Sequence, residues 1–496
     1  MATLIKNIQL VRGDGSVPER RDILICGQKT SAIGSLSNKI AADVYDGKSA
    51  YLSSGWIDFH SEADHQAILD KNRNHSEILK QGVTTILGGH DGVSIVPASI
   101  PALKYFKNWG GPSRAANWKN FSEFWNFWDK SRPGVNFGSL VGYSSLRAVI
   151  CGGHYASCPN SKLTALQSLL KDSLSAGAAG LSVDLHLSCN PSQFLKEIER
   201  LSRVLAIKNK ILVLDISSDS FSDRKELLEW LKGIDCRVVI DNFGSVGGKE
   251  EILIEGIAEM ENVYLEYPIG SQDLPIFRFL PRWFLQNADY SWSSLRDPWL
   301  KNRVLKNTPV ISWKDVRIAR AHNNPALVGL TISEYARHCG IKDAREALLH
   351  LATSTHGQIA LSRAPRKSFP HWLALPRVVF TGQSARMDPE SRDHPGLWHG
   401  DRVPADFLAA MINSKVMTLP EAIIKMTGLP AGLLNLKDRG IVREGADANF
   451  TLFEIQHGKK HRDKMNIKSV FVNGRMAWDK DSETLIGNSG RSIKSA

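Results

Sequence analysis

Two short stretches of the chain combine histidine with carboxylates at a spacing that suits metal binding. His60 and Glu62 follow one apolar run, and His90 and Asp91 follow another. Because alternate residues of a strand point to the same side, His60 and Glu62 should face one side together. Imidazole and carboxylate groups are suitable ligands for Zn²⁺, Mn²⁺ or Fe²⁺. We therefore interpret His60, Glu62 and Asp91 as candidate ligands of one divalent ion, with His90 as a weaker candidate.

The same side chains are also compatible with a site that holds no metal. A buried histidine is commonly held by a hydrogen bond or an ion pair, and a carboxylate beside His60 would raise its pKa without any ion. Two alternatives for the cofactor therefore stay open, namely one divalent metal ion or none.

The segments that must position these residues alternate between strands and helices. The apolar, strand-like runs lie at 82–87, 138–142, 179–183, 211–216 and 237–240, and helical patterns lie at 163–176 and 224–232. This alternation predicts a parallel sheet, and the commonest form at this length is a TIM-type (β/α)8 barrel. Residues that directly follow the strands of such a barrel meet at one mouth. We therefore expect the candidate ligands to converge there.

Both ends of the chain have all-β patterns, with short apolar runs separated by turn residues. Chain ends often lie close together in space. We predict one small β-sandwich domain from residues 1–55 plus 435–490, beside a barrel formed by residues 56–434. Within the barrel, residues 275–375 interrupt the alternation and are rich in tryptophan, arginine and proline. We predict that they form a mostly helical insertion near the barrel mouth.

Composition excludes several classes of protein. The 496 residues have 42% hydrophobic and 23% charged content, as in ordinary globular proteins. The net charge of +11 is spread along the chain without an RNA-binding or zinc-finger signature, so we expect no nucleic-acid partner. No apolar run reaches the roughly 18 residues of a membrane span, and no signal peptide or cysteine pairing pattern is evident. These features predict a cytoplasmic protein that acts on a small molecule, and they leave the oligomeric state open.

Short motifs run in order over nearly the whole chain: GWIDFH at 55–60, KQGVTT at 80–85, GVSIVP at 92–97, VGYSSLR at 141–147, AGAAGLS at 176–182, LRDP at 295–298, KMTGLPA at 425–431 and VFVNGR at 470–475. They resemble the motifs of N-acyl-D-amino-acid deacylases, a family of the amidohydrolase superfamily. The resemblance implies the barrel with its sheet domain, and hydrolysis of a C–N amide bond in an N-acyl amino acid or a related small molecule.

The resemblance also places substitutions at positions that bind metal in the family. The second histidine of the family's HxH motif corresponds to Glu62, and its bridging cysteine corresponds to Asp91. A histidine after a middle strand corresponds to Asn242, and the aspartate that binds metal and acts as general base corresponds to Gln383. His394 matches the histidine of a later His-Pro motif and is the predicted substrate-binding residue.

These substitutions leave the catalytic residues unassigned. A carboxamide cannot act as a base near pH 7, and asparagine is a poor metal ligand. The sequence therefore supports two functions, a hydrolase with a remodelled metal site or a non-catalytic protein of the same fold with a binding or structural role. In either case we expect little activity on simple N-acyl-D-amino acids.

Overall fold

The computed structural model describes the chain in the following ranges: 2–36, 38–61, 75–98, 118–152, 159–185, 191–216, 224–241, 250–269, 273–281, 284, 291–308, 313–321, 324–357, 359–363, 369–382, 403–458, 463–482 and 488–495.

Strands occur along the whole of the described chain. They are β1 Ala2–Val11, β2 Glu19–Cys26, β3 Lys29–Gly34, β4 Asp43–Asp46, β5 Tyr51–Ser54, β6 Trp56–Asp58, β7 Val83–Gly88, β8 Asn136–Ser139, β9 Val141–Gly142, β10 Gly180–Asp184, β11 Ile211–Asp215, β12 Arg237–Asp241, β13 Val263–Pro268, β14 Asp273–Pro275, β15 Val316–Ala321, β16 Ile359–Arg363, β17 Val378–Thr381, β18 Phe450–Gln456, β19 Lys464–Val472 and β20 Arg475–Asp479.

The α-helices lie mainly between the strands of the middle region. They are α1 Ser76–Leu79, α2 Phe121–Lys130, α3 Tyr143–Cys151, α4 Asn160–Ser175, α5 Pro191–Ile207, α6 Arg224–Lys232, α7 Glu250–Ala258, α8 Pro298–Asn307, α9 Ile332–His338, α10 Ala344–Ser354, α11 Val403–Asn413, α12 Leu419–Ile424 and α13 Gly428–Leu433. In the described parts of the chain no helix is long and apolar enough to cross a membrane.

Strands from both chain ends form one eight-stranded sheet. Its order is β20-β19-β18-β5-β1-β2-β3, and β4 pairs with β1. The antiparallel pairing of β18 with β5, centred on Leu52 and Leu452, joins the C-terminal strands to the N-terminal ones. Residues such as Ile5, Leu10 and Phe450 are buried in a separate hydrophobic core beneath this sheet. The limits of the sheet domain, 1–55 and 435–490, stay a prediction.

The middle of the chain forms a barrel of eight parallel strands. One sheet contains β6-β7-β8, and another contains β9-β10-β11-β12-β13-β17. Only Leu140 separates β8 from β9, so the two form a single interrupted strand. On the other side, the backbone N–H of Gly382 donates to Asp58 Oδ1 (2.8 Å) and links the end of β17 to β6. Every residue of β10 and β11 is buried, as expected for parallel strands covered by helices. The predicted α/β barrel with a separate sheet domain is confirmed.

Residues 273–363 contain more sheet than their sequence pattern predicts. Helices α8, α9 and α10 are present, but β14, β16 and β15 also form a three-stranded antiparallel sheet. These strands have only three to six residues and interrupt their apolar pattern with arginines, which hides them from a search for periodicity. The segment has its own hydrophobic core, including Val304, Ile318 and Leu348.

The C-terminal segment 488–495 packs along the barrel at the ends where its strands begin. The N–H of Phe137 in β8 donates to the carbonyl of Arg491 (2.9 Å), and the N–H of Ile493 donates to the carbonyl of Phe137 (2.7 Å). The buried amine of Lys210 donates to the carbonyl of Ser495 (2.8 Å). The segment thus closes the face of the barrel opposite the strand C-termini.

The structure contains a disulfide bond, although the sequence shows no cysteine pairing pattern. Cys151, the last residue of α3, is disulfide-bonded. Among the described cysteines, Cys26, Cys236 and Cys339 are free.

Candidate metal centre

Four side chains from four barrel strands converge at the mouth of the barrel. His60 and His90 follow β6 and β7, Asp241 ends β12, and Glu266 lies in β13. One potential ligand atom from each residue lies within 4.8 Å of the others. The four residues are only 1%, 4%, 0% and 0% exposed, respectively. The group therefore has the composition and compactness of a metal centre.

Local backbone structure positions the two histidines. The N–H of Ser61 donates to the carbonyl of Leu87 in β7 (2.9 Å), which holds the end of β6 against the next strand. His90 lies in a turn whose neighbours Gly89 and Asp91 both have positive φ angles, 79° and 55°. Its Nε2 donates to the carbonyl of Phe59 (2.8 Å). As a result the two imidazole rings stack, with centroids 3.9 Å apart and planes inclined by 10°.

Strand register brings the two carboxylates side by side. β12 pairs with β13 in parallel, with Ile240 opposite Leu265, so the next residues along each strand are Asp241 and Glu266. Thr381 of β17 donates its hydroxyl proton to Glu266 Oε1 (2.9 Å) and orients that carboxylate from the other side.

His60 contacts both carboxylates through one nitrogen. Its Nδ1 lies 3.2 Å from Asp241 Oδ1 and 3.0 Å from Glu266 Oε1. A carboxylate accepts hydrogen bonds, so Nδ1 carries the proton in this arrangement. A proton on His60 therefore joins the two acidic groups.

Two further atoms of the cluster face each other without a hydrogen bond. His90 uses its single proton at Nε2, so its Nδ1 presents a lone pair. Nδ1 lies 3.9 Å from Asp241 Oδ2, and neither atom has a hydrogen-bond partner among the described residues. When Asp241 is ionised, both atoms are acceptors and cannot hydrogen-bond to each other, and leaving buried acceptors unsatisfied costs free energy. A cation between them would remove that cost.

Burial and charge shift the pKa values of the cluster in opposite directions. Burial lowers the pKa of His60, but the charges of Asp241 and Glu266 outweigh this and place it well above the usual value. Burial and the neighbouring His60 charge hold the pKa of His90 well below its usual value. Burial and the charge of Glu266 raise the pKa of Asp241 to about 8. The two histidines therefore differ, with a cationic His60 stacked on a neutral His90.

The residues predicted from sequence have different positions relative to this group. His60 is a member, and so is His90, which the sequence indicated only weakly. Asp91 lies half-buried in the turn after β7 and is not among the four. Glu62 and His394 lie outside the described residues, as do Asn242 and Gln383. Ligation by Glu62 or Asp91 and substrate binding by His394 stay predictions.

Neither carboxylate of the four-residue group was among the residues predicted from the sequence. Asp241 and Glu266 each stand at or near the end of an apolar strand, which is the position from which barrel residues reach the mouth. Asp184 and Asp215 also end their strands, in register with Asp241. The sequence feature that could have identified Asp241 is this repeated carboxylate at the ends of successive buried strands.

Comparisons with known proteins give two relatives over nearly the whole chain, although no family model matches. N-acyl-D-aspartate deacylase of Alcaligenes xylosoxydans xylosoxydans is 23% identical over 96% of this chain and 92% of its own length. D-aminoacylase of the same organism is also 23% identical, over 96% of this chain and 94% of its own length.

A solved structure shares the fold of this chain. N-acyl-D-glutamate deacylase from Bordetella bronchiseptica, complexed with zinc and a phosphonate mimic of the tetrahedral intermediate, superimposes with a TM-score of 0.74. The match covers 99% of each chain at 21% identity. The chain is therefore a homologue of the N-acyl-D-amino-acid deacylases and has the amidohydrolase fold of those enzymes.

Proposed function

We propose that the protein is a metal-dependent hydrolase that cleaves a C–N amide bond in an N-acyl amino acid or a related small molecule. The observation that carries the proposal is the buried group of His60, His90, Asp241 and Glu266 at the barrel mouth. Catalytic residues of barrel enzymes lie at this end of the strands. The relatives with deacylase names support the reaction class.

The residues of the centre fit one divalent ion. Metal–nitrogen and metal–oxygen bonds are about 2.0–2.2 Å long, so two ligands of one ion lie roughly 3–4 Å apart. The 3.9 Å between His90 Nδ1 and Asp241 Oδ2 falls in this range, and both atoms lack other partners in the described chain. Two imidazoles with two carboxylates suit Zn²⁺, Mn²⁺ or Fe²⁺. Ligand nitrogens must be deprotonated, so an ion would replace the proton that His60 holds.

A bound ion would supply a water of lowered pKa and would polarise the scissile carbonyl group. The chain's own residues hold and orient the centre. Thr381 fixes Glu266, and Phe59 fixes the tautomer of His90. Such outer contacts orient ligands and tune the bound metal. We further propose Glu62 and Asp91 as additional ligands and His394 as a substrate contact; the support is that they stand at functional positions of the motifs that this chain resembles.

The second candidate is a non-catalytic protein of this fold. It is favoured by the hydrogen bonds of His60 Nδ1, which already join Asp241 and Glu266 without an ion. A barrel core consists of packed side chains and needs no metal to fold. The two candidates differ in metal content and in hydrolysis.

Elemental analysis of the full chain, purified without chelator, tests the proposal. We expect about one equivalent of Zn, Mn or Fe, and a loss of at least tenfold in metal affinity for Asp241→Asn. Asp184→Asn is the matched control, because Asp184 ends β10, two strands from β12 in the same sheet, but lies outside the four-residue group. Its metal content should stay close to that of the wild type.

Hydrolysis is then measured with the metal-loaded protein on N-acyl amino acids of both configurations and different acyl groups. We expect activity that a chelator and Asp241→Asn both abolish, and weak activity on simple N-acetyl-D-amino acids. Protein that takes up no metal and hydrolyses no member of the panel would support the non-catalytic candidate instead.

A further inference from the structure

A polar cleft of about 690 Å³ lies where the sheet domain, the barrel and the C-terminal segment meet. Asn473 and Arg475 come from the turn and strand of the sheet domain, Asp129 and Arg132 surround the end of α2, and Arg491 comes from the C-terminal segment. Apart from Gly490, every described residue that lines the cleft has a polar or charged side chain.

The cleft lies on the face of the barrel opposite the metal centre. Asn136, the first residue of β8, accepts hydrogen bonds from Asn473 Nδ2 (2.8 Å) and from the backbone N–H of Arg491 (3.1 Å). The strand therefore begins beside the cleft, whereas the metal centre gathers residues at strand C-termini. The cleft is a separate site.

The charges that line the cleft are not balanced. The guanidinium groups of Arg132, Arg475 and Arg491 form no ion pair or hydrogen bond within the described chain. Among the described lining residues the one carboxylate is Asp129, which already accepts hydrogen bonds at both oxygens, from the backbone N–H of Ser492 (2.6 Å) and from its hydroxyl (2.8 Å). Within the described chain, these three guanidinium groups therefore face the cleft without a carboxylate to pair with.

A fourth arginine, Arg439, contacts the lining residue Asn473 from outside the cleft. Arg439 donates to Asn473 Oδ1 (3.2 Å) and pairs with Asp447 (2.9 Å), but its Nη1 is buried with no partner among the described residues. Burial lowers the pKa of Arg439, and the charge of Arg491 adds to this effect. Arg439 and Arg491 are therefore close enough to repel each other, and an anion bound beside Arg491 would relieve that repulsion.

We propose that this cleft binds a small polyvalent anion, a phosphorylated or polycarboxylate metabolite. Guanidinium groups bind phosphate and carboxylate oxygens with paired hydrogen bonds, and the side-chain amides of Asn473 and Asn488 can donate further ones. The volume lies within the usual range for small-molecule sites. The bound anion contacts three separate parts of the chain, so it holds the sheet domain and the C-terminal segment against the barrel.

Titration of the full-length protein with inorganic phosphate and with succinate tests this proposal. Binding is measured by calorimetry and by thermal unfolding, at constant ionic strength maintained with chloride. We expect saturable binding and a raised unfolding midpoint with at least one of the two anions. The stronger of the two identifies the phosphate or the carboxylate class.

Arg475→Gln combined with Arg491→Gln should weaken this binding at least tenfold, and Arg132→Gln alone should weaken it if the double variant does not fold. Arg337→Gln is the control, because Arg337 is an exposed arginine on α9 of the insertion, and it should bind like the wild type. The metal centre is unchanged in all of these variants. Absence of saturable binding, or equal binding by wild type and double variant, would overturn the proposal.

Discussion

His60 contacts both carboxylates of the metal centre, so its side chain distinguishes the ion-bound state from the proton-bound state. In the described arrangement a proton on Nδ1 satisfies Asp241 and Glu266, and the neighbouring His90 keeps an unused lone pair. A buried charge is costly unless it is paired, so the cluster needs a positive charge in either state. A proton on His60 therefore supplies this charge in the described arrangement, and the proposed metal ion would take its place.

Tyr143, Arg147 and Glu197 form a second buried charged group, between α3 and α5. Arg147 Nη1 donates to Glu197 Oε2 (2.8 Å) and to the hydroxyl of Tyr143 (3.0 Å), and that hydroxyl also bonds to Glu197. Glu197→Ala leaves the arginine charge in a buried setting, so we expect a loss of about 3–5 kcal/mol in the free energy of unfolding. Denaturant titration measures it. Glu199→Ala on the same helix should change it by less than about 0.5 kcal/mol, and equal effects of the two variants would contradict the prediction.

Lys425 is a buried lysine whose charge should reduce stability near neutral pH. Its amine donates to the carbonyls of Leu375 (2.5 Å) and Val378 (3.4 Å), and burial lowers its pKa to about 8, against the opposing charge of Glu421. Between pH 8 and the ordinary value of 10.5, the unfolded chain binds more protons than the folded chain. The free energy of unfolding therefore rises with pH in this window.

The lysine contribution is isolated by comparing variants across that window. Relative to Lys425→Met, the free energy of unfolding of the wild type should rise by up to about 3 kcal/mol between pH 8 and 10.5. Urea titrations at several pH values measure the difference. Exposed Lys415→Met should show no such trend against the wild type, and parallel pH curves for Lys425→Met and wild type would disprove the assignment.

At the scale of elements, the turn after β7 packs closely against β9. A Cβ atom at Gly142 would lie 2.5 Å from the carbonyl oxygen of Gly92 and 2.5 Å from Cα of Val93. The same turn carries His90, a member of the four-residue group, so the absence of a side chain at Gly142 allows this turn to pack closely against β9. Backbone contacts of this kind help to position the four-residue group.

Gly142→Ala should therefore destabilise the fold by about 1–3 kcal/mol, because backbone atoms cannot move aside as a flexible side chain would. Gly432→Ala is the contrasting variant. Gly432 lies in α13 with no atom near the new Cβ. Alanine favours the helix more than glycine does, so the free energy of unfolding should rise by roughly 0.5–1 kcal/mol. Thermal unfolding of both variants measures the change in stability. An unchanged unfolding midpoint for Gly142→Ala would refute the close packing.

At the scale of the whole molecule, the C-terminal segment joins the ends of the chain to the barrel. It hydrogen-bonds to β8 through Phe137, to Lys210 at the start of β11, and to Leu434 after α13 through Ser495 Oγ (3.0 Å). The sheet domain also contacts it, since Asn473 Nδ2 donates to the carbonyl of Ser489 (2.6 Å). These bonds connect regions far apart in sequence.

Deletion of residues 488–496 should lower the free energy of unfolding by about 3 kcal/mol or more, from several lost hydrogen bonds at roughly 1 kcal/mol each and from the loss of the acceptors of buried Lys210. Thermal and denaturant unfolding of the truncated chain test this. Exposed Lys494→Ala keeps the segment and should have little effect. An unchanged unfolding midpoint after truncation would show that the segment contributes no stability.

Sequence by itself determined the class of fold and one member of the four-residue group. Alternating strand and helix patterns, which record local burial, predicted the parallel barrel, and short strands at both ends predicted the sheet domain. The ordered motifs identified the deacylase resemblance, and the GWIDFH motif placed His60 at a strand end. The short strands β14, β15 and β16 were not predicted, because three to six residues are too few to show a clear strand periodicity.

Only the tertiary structure decided which side chains join His60. Asp241 and Glu266 lie 181 and 206 residues away from it along the chain. The family pattern directed attention to Asn242, one residue beyond Asp241. A shift of one residue along a strand reverses the side that it faces. Local periodicity reports which residues are buried, but closure of the barrel and the register of β12 against β13 determine which buried residues meet.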